Sequence, residues 1–327
     1  RPFFPNIAER LLTSPRFQEV RDIIKQKQET IRKSSIIKAD IEIPKPEGLD
    51  YKNYQYGGIS FAYDLWKNKK HGVLIGDDMG LGKTIQALGF INKIRPDLGR
   101  TPKVLIICPA SIKMNWYREA KKWIVPATST IVIESGIPAQ AIKHHNICII
   151  NYDILTKYEK AIIPIDWDVI VYDESHYMKN DKAKRSRAGN IFSKMSDFVV
   201  LLTGTPITNK PIDLWHQLNI IDWDMFKSRS TFVDRFCGGA QGIGATNLDE
   251  LQELLRSTYM VRRMKDDVLT ELSKAYNQMF MPDMAIKTLM SHDFVPCEGG
   301  EHAIADQYMF AYLVKGKLEL DSGNTEK

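Results

Sequence analysis

No stretch of this 327-residue chain approaches the ~18–20 consecutive apolar residues that a membrane-spanning helix needs. A transmembrane protein is excluded, and no membrane partner is expected. Cysteine is scarce. Its four copies, Cys108, Cys148, Cys237 and Cys297, are far apart and form no C-x-x-C pair. A small disulfide scaffold is thereby excluded, and the reading is reduced thiols in an intracellular protein. Neither His145-x-x-Cys148 nor the group His292, Cys297 and His302 has a four-ligand zinc spacing. Internal repeats and low-complexity tracts are missing too. The first residues, RPFFPNIAER, carry neither a signal-peptide pattern nor an initiator Met, so the chain reads as a piece of a longer one. What is there is ordinary globular usage, 43% hydrophobic and 26% charged, which excludes disordered and collagen-like classes. At ~150 residues per domain, the length suggests about two domains.

The net charge of +5 is only a weak pointer to an anionic partner. Its distribution says more. Residues 272–327 hold 5 Lys, no Arg and 8 acids, so the whole basic excess lies ahead of them. That acidic end is also rich in Met and has no periodicity that assigns it a fold.

Residues 1–36 read as helical, with Ser14-Pro15 as an N-cap followed by proline at the first helical position. Residues 40–50, with two prolines and a glycine, read as a linker. From about 50 to 220, short β-branched runs alternate with helical stretches. The runs lie at 73–75, 104–107, 131–133, 147–150, 169–171 and 199–202. They are apolar throughout, as strands buried on both faces of a parallel sheet are. With helices between them, the expected fold class is α/β, a parallel sheet built from right-handed crossovers. Residues 220–271 read as mostly helical, broken at Cys237–Gly244.

The run at 73–75 leads into Gly76-Asp77-Asp78-Met79-Gly80-Leu81-Gly82-Lys83-Thr84, followed by a helix expected to stop before Pro96. Strand, glycine loop, Lys-Thr and helix is the context of a phosphate-binding loop. Gly80 and Gly82 let backbone N–H groups curl around phosphate oxygens, and the helix points its positive dipole end at the same oxygens. Lys83 reaches the β- and γ-phosphates, and the Thr84 hydroxyl ligates Mg²⁺. One position departs from the general pattern: Asp77 stands where a glycine is usual.

A second half-site follows about 90 residues on. The apolar run at 169–171 ends in Asp173-Glu174, at the strand end where ligands of such sheets bind. Asp173 is the expected Mg²⁺ holder, directly or through water, and Glu174 the group that polarises an attacking water. His176 is placed to relay nucleotide state to another element, although a structural histidine is the plainer reading. Thr203-Gly204-Thr205 forms a polar turn after the last run, with hydroxyls able to couple to the acidic pair.

Together these segments resemble the first lobe of the SWI/SNF-type superfamily-two DNA-translocating ATPases, over residues 51 to 271. Tyr51–Phe61 looks like the family's adenine-recognition motif, which makes Gln55 the adenine reader, although Asn53 stands where Pro is usual. Asp77–Thr84 is similar to the family's own phosphate loop, Leu81 included, which also begins with Asp. Val104–Trp123 resembles the segment after the second strand, with Ser111 and Lys113 on the DNA side and Trp116 and Trp123 in register. Asn151-Tyr152-Asp153 looks like the next DNA-side motif. Asp173–His176 runs into Lys179-Asn180 as the family signature does, with Ser175 for the commoner Ala. Thr203–Asn209 and Arg262–Leu269 match later motifs.

The resemblance implies a RecA-like fold, ATP and Mg²⁺ as cofactors, and double-stranded or forked DNA as partner. Asp78, Ser175 and the NLDEL…MVRRMKDDVL stretch lean toward annealing helicases, which act on forks. Lys179, Lys182, Lys184, Arg185 and Arg187 form a basic run suited to sequence-independent phosphate contacts, or else a solvated face. Residues 272–327 show no second-lobe motif. The expected organisation is therefore an N-terminal helical extension and linker (1–50), one RecA-like lobe (51–271) and an unassigned segment (272–327), with a second lobe lying downstream in the intact protein. Two other readings stay open: a non-hydrolysing nucleotide-dependent DNA-binding module, and a restriction or viral superfamily-two helicase subunit.

Overall fold

A computed structural model of the chain describes residues 18–34, 39–178, 184–204, 210–239, 244–290 and 301–321. The chain divides into two units. One comprises Arg1–Asp77 and Leu81–Arg262, the other Asp78–Gly80 and Arg263–Lys327.

The first unit is built on a seven-stranded sheet of β1 (Gly72–Ile75), β2 (Val104–Cys108), β3 (Thr130–Val132), β4 (Ile147–Asn151), β5 (Trp167–Asp173), β6 (Ser196–Leu202) and β7 (Met260–Val261). Every pairing is parallel, in the spatial order β3-β4-β2-β5-β6-β1-β7. Six strands coincide with the apolar runs of the sequence. Their side chains alternate between two cores, one on each face: Leu105 and Ile107 join one cluster, Val104 and Ile106 the other. Burial on both faces is why those runs carry no polar alternation. The seventh strand has only two residues, too few for any pattern, and exists because β1 offers it a free edge.

Helices Asn53–Lys67, Lys83–Leu98 and Lys113–Trp123 belong to this unit, as does Gln18–Ser34. The expected cap at Ser14-Pro15 lies outside the described residues. Helix Lys83–Leu98 does not stop before Pro96 but runs through it to a left-handed Gly99, whose N–H donates to the Pro96 carbonyl (3.2 Å). A proline in the last turn forfeits a single i→i−4 bond, so glycine and not proline sets the end.

The second unit is helical: Lys265–Gln278, Pro282–Met290 and Glu301–Asp321 pack against one another. The first of these helices, Lys265–Gln278, spans residue 271. The Asp78 carboxylate accepts the Lys265 backbone N–H (2.9 Å), capping that helix from a distant part of the chain. Helix Glu301–Asp321 has apolar residues around its whole circumference, leaving Met309, Phe310 and Leu313 exposed. That spread erases the one-sided periodicity by which a helix is read from sequence. No described helix is long and apolar enough to cross a membrane.

Candidate functional site

Because all strands run parallel, their carboxyl ends share one edge. The register sets Asp173 level with Leu202, Leu202 with Ile75, and Ile75 with Val261. The next residue on each strand, Glu174, Thr203, Gly76 and Arg262, therefore emerges beside its neighbours. Segments separated by up to 186 positions in the chain meet along one row.

On β1, the chain turns through the glycine loop into helix Lys83–Leu98. Gly82 is the residue before the helix and adopts φ 70°, ψ 45°. A Cβ there would push aside the flexible end of the Gln55 side chain, so it is the left-handed backbone that favours glycine. Gly80 is also left-handed, with φ 87°. The Lys83 ammonium donates to the Asp77 carbonyl (2.8 Å). Asp77 is fully buried, and its carboxylate accepts from Gln86 Nε2 (2.9 Å). The Asp that replaces the usual glycine is thus a structural brace, tying the loop to the first turn of its helix. Thr84 sits half-buried in that turn.

Gln55 is buried against the same loop. Its Oε1 accepts the Lys52 N–H (2.9 Å), capping helix Asn53–Lys67, and its Nε2 makes a long 3.5 Å bond to the Leu81 carbonyl.

At the end of β5, Asp173 is held on three atoms. Its Oδ2 accepts from Trp116 Nε1 (2.7 Å), its Oδ1 from the Glu174 backbone N–H (2.9 Å), and its carbonyl from the Tyr152 hydroxyl (2.8 Å). Burial raises the Asp173 pKa above the ordinary carboxylate value, and the Glu174 charge adds to this. The indole and backbone donors and the Lys83 ammonium pull the other way. Glu174 follows in a left-handed conformation (φ 49°), half-buried, a geometry that costs a non-glycine residue roughly 1–2 kcal/mol. His176 Nδ1 lies 3.3 Å from the Glu174 carboxylate, without hydrogen-bonding alignment. The Ser175 hydroxyl, in place of the family's commoner Ala, is buried and donates to Gln217 Oε1 (2.5 Å).

The turn after β6 is buried at Thr203, whose N–H donates to the Ile75 carbonyl (3.2 Å). Thr205 lies outside the described residues. Arg262, beyond β7, reaches back across the sheet edge. Its guanidinium donates to the carbonyls of Gly76 and of Gly204 (the latter 3.2 Å), joining the glycine loop to the β6 turn.

The residues expected at DNA divide. Ser111 and Arg187 are exposed; Lys113 is half-buried and donates to the Ile133 carbonyl (3.3 Å). Lys179 and Lys182 lie outside the described residues, and helix Lys184–Ser193 carries Lys184 and Arg185 in its first turn. Tyr152, expected on the DNA side, has a buried side chain. At 2% exposure its side chain is not at a surface, since its hydroxyl is committed to Asp173 and its ring stacks on Tyr177 at 5.4 Å. Sequence reasoning gave no site role to Gln86, Gln217, Trp116 or Arg262. A buried acid at Asp77 was the one local signal that a partner such as Gln86 had to exist.

A model of the SNF2-related domain matches residues 54–292. Among curated relatives, a "SWI/SNF-related matrix-associated actin-dependent regulator of chromatin subfamily A-like protein 1 homolog" of Caenorhabditis elegans is 32% identical over 67% of this chain and 32% of its own length. The human "DNA annealing helicase and endonuclease ZRANB3" is 31% identical over 72% of the chain and 23% of its own length. Among solved structures, the Sulfolobus solfataricus SWI2/SNF2 ATPase core in complex with dsDNA aligns with a TM-score of 0.59 at 23% identity, covering 83% of this chain and 60% of that one, which is a likeness of fold.

Proposed function

Because the chain belongs to the SNF2-related domain family, we propose that it is the ATP-binding lobe of a double-stranded DNA translocase. The observation that carries this reading is the row at the sheet edge. It brings the loop-bearing β1, the acidic end of β5 and the turn after β6 side by side, with the Lys83 ammonium close enough to act electrostatically on Asp173.

ATP with Mg²⁺ supplies the phosphoanhydride whose cleavage drives the motor. The residues present fit such a group: Gly80 and Gly82 take the left-handed backbone of an anion-cradling loop, the space beside Gly80 is open, and the buried Asp173 carboxylate feels the charge of the loop lysine. Lys83 exchanges its bond to the Asp77 carbonyl for phosphate oxygens, and the N–H groups at the start of helix Lys83–Leu98 receive the same anion. Thr84 and Asp173 would hold Mg²⁺ when it is bound. Glu174, set by its left-handed backbone, orients and polarises the attacking water. Gln55 reads adenine by giving up its weak bond to Leu81. His176, Thr203, Gly204 and Thr205 pass the nucleotide state to the DNA side.

Partners in this reading are duplex or forked DNA, gripped by Ser111, Lys113 and the basic run 179–187, and a second RecA-like lobe in the same protein. That lobe would contribute transition-state arginines, which are worth ~10³–10⁵ in rate. The setting is DNA-associated. The relative named as an annealing helicase supports a fork-acting branch.

The deciding experiment is Lys83→Ala. Removing a charge-assisted contact worth ~1.5–3 kcal/mol should weaken Mg-nucleotide binding about ten- to a hundredfold and abolish DNA-stimulated hydrolysis in the two-lobed protein. Unchanged hydrolysis by that variant would refute the assignment.

A further inference from the structure

The acid at the end of β5 is buried and is held by two residues that the nucleotide chemistry leaves without a task. Trp116 is wholly buried on helix Lys113–Trp123, the helix that follows the exposed Ser111 segment. A tryptophan of this size fills a core on its own, yet its one polar atom is spent on Asp173 Oδ2 at 2.7 Å. Tyr152 opens the segment after β4 and is buried to 2%. Its hydroxyl reaches the Asp173 carbonyl at 2.8 Å. With the Glu174 N–H on Oδ1, the carboxylate has one donor on each oxygen, so its plane is fixed and its rotation stopped. The tethers come from two segments, the helix after β2 and the turn after β4. Register explains why both reach: β2 lies between β4 and β5, with Cys108 level with Asn151, and Ile107 level with Tyr172. The residues following these strand ends therefore face Asp173.

We infer that Trp116 and Tyr152 are positioning residues for Asp173. Trp116 orients the carboxylate toward the metal through its indole N–H, and Tyr152 anchors the backbone from which that carboxylate projects. The inference rests on the nucleotide-binding reading above and deepens it. Pre-orientation of a metal-holding group by an outer hydrogen bond commonly changes metal affinity ten- to a hundredfold when lost. The indole N–H and the phenol O–H are both given to Asp173 and not to the loop that takes the phosphates, so their loss should act on the metal and not on the nucleotide itself.

The test is fluorescent ATP-analogue binding by this chain, titrated with Mg²⁺ and repeated in EDTA. Trp116→Phe keeps an aromatic ring but removes the N–H donor together with part of the bulk of a wholly buried indole, so the folding of the variant is checked first by circular dichroism. It should raise the Mg²⁺ concentration for half-maximal binding about tenfold while leaving metal-free affinity within about twofold of the parent. Tyr152→Phe should give a smaller rise in the same direction, and decides the question alone if the tryptophan variant does not fold. An unchanged Mg²⁺ requirement in the folded variants would overturn the inference. So would an equal loss of binding with and without metal, which marks a merely structural role. A parent chain that binds nucleotide with no Mg²⁺ dependence would instead strike at the nucleotide-site reading as well, so the two failures are told apart.

Discussion

Gly82 shows how much one residue carries in this loop. Its φ of 70° would cost an L-residue roughly 1–2 kcal/mol, and its missing Cβ is the space that the Gln55 amide occupies. Gly82→Ala should therefore lower stability by about 1–2 kcal/mol, mostly backbone strain with a smaller part for shifting the end of Gln55. Gln55→Ala in the same protein should recover the part due to displacement and leave the strain. Denaturant unfolding of both single variants and the double variant reads the coupling directly. Strict additivity would mean that the two side chains do not meet. Asp77 makes the complementary point. Judged against the general phosphate-loop pattern it is a defect, but its burial and its bond to Gln86 make it a brace that glycine could not be.

Elements are joined at this sheet edge by few and specific links. Strand β7 contributes only Met260 and Val261, yet it delivers Arg262 to the ends of two other strands. Arg262→Ala should leave the Gly76 and Gly204 carbonyls without that donor, lowering stability by about 1–3 kcal/mol. The unfolding midpoint measures this. Both carbonyls accept from the one nitrogen Nη1, so in Arg262→Lys an ammonium that reaches the same place should recover part of the loss. A midpoint unchanged in the alanine variant would show that the link contributes nothing. Helix Lys83–Leu98 teaches a related lesson. A proline in the last turn is tolerated, and a left-handed glycine decides the terminus.

At the scale of the molecule, charge is the testable property. Neutralising Lys182, Lys184, Arg185 and Arg187 together should flatten the dependence of duplex affinity on salt. The log–log slope should fall by about 0.9 for each DNA phosphate that the variant no longer neutralises. A salt series on a short duplex measures it, and an unaltered slope would remove the basic run from the DNA interface. Much of the first unit was readable in advance because its code is local. Six β-branched runs declare doubly buried strands, and glycine, lysine and threonine after one of them declare an anion site. The acidic pair was readable for the same reason, since strand end and carboxylates are adjacent in the chain. What depended on contacts between distant positions was not readable. Trp116 meets Asp173 across 57 positions, and Tyr152 turns inward although its neighbourhood marked it for the surface. The second unit was hidden differently, its last helix being apolar on every side. The sequence alone determined the α/β class and the family. Tertiary structure alone decided which side chains hold Asp173 and which strand ends Arg262 ties together, because parallel register, not chain proximity, sets who is beside whom.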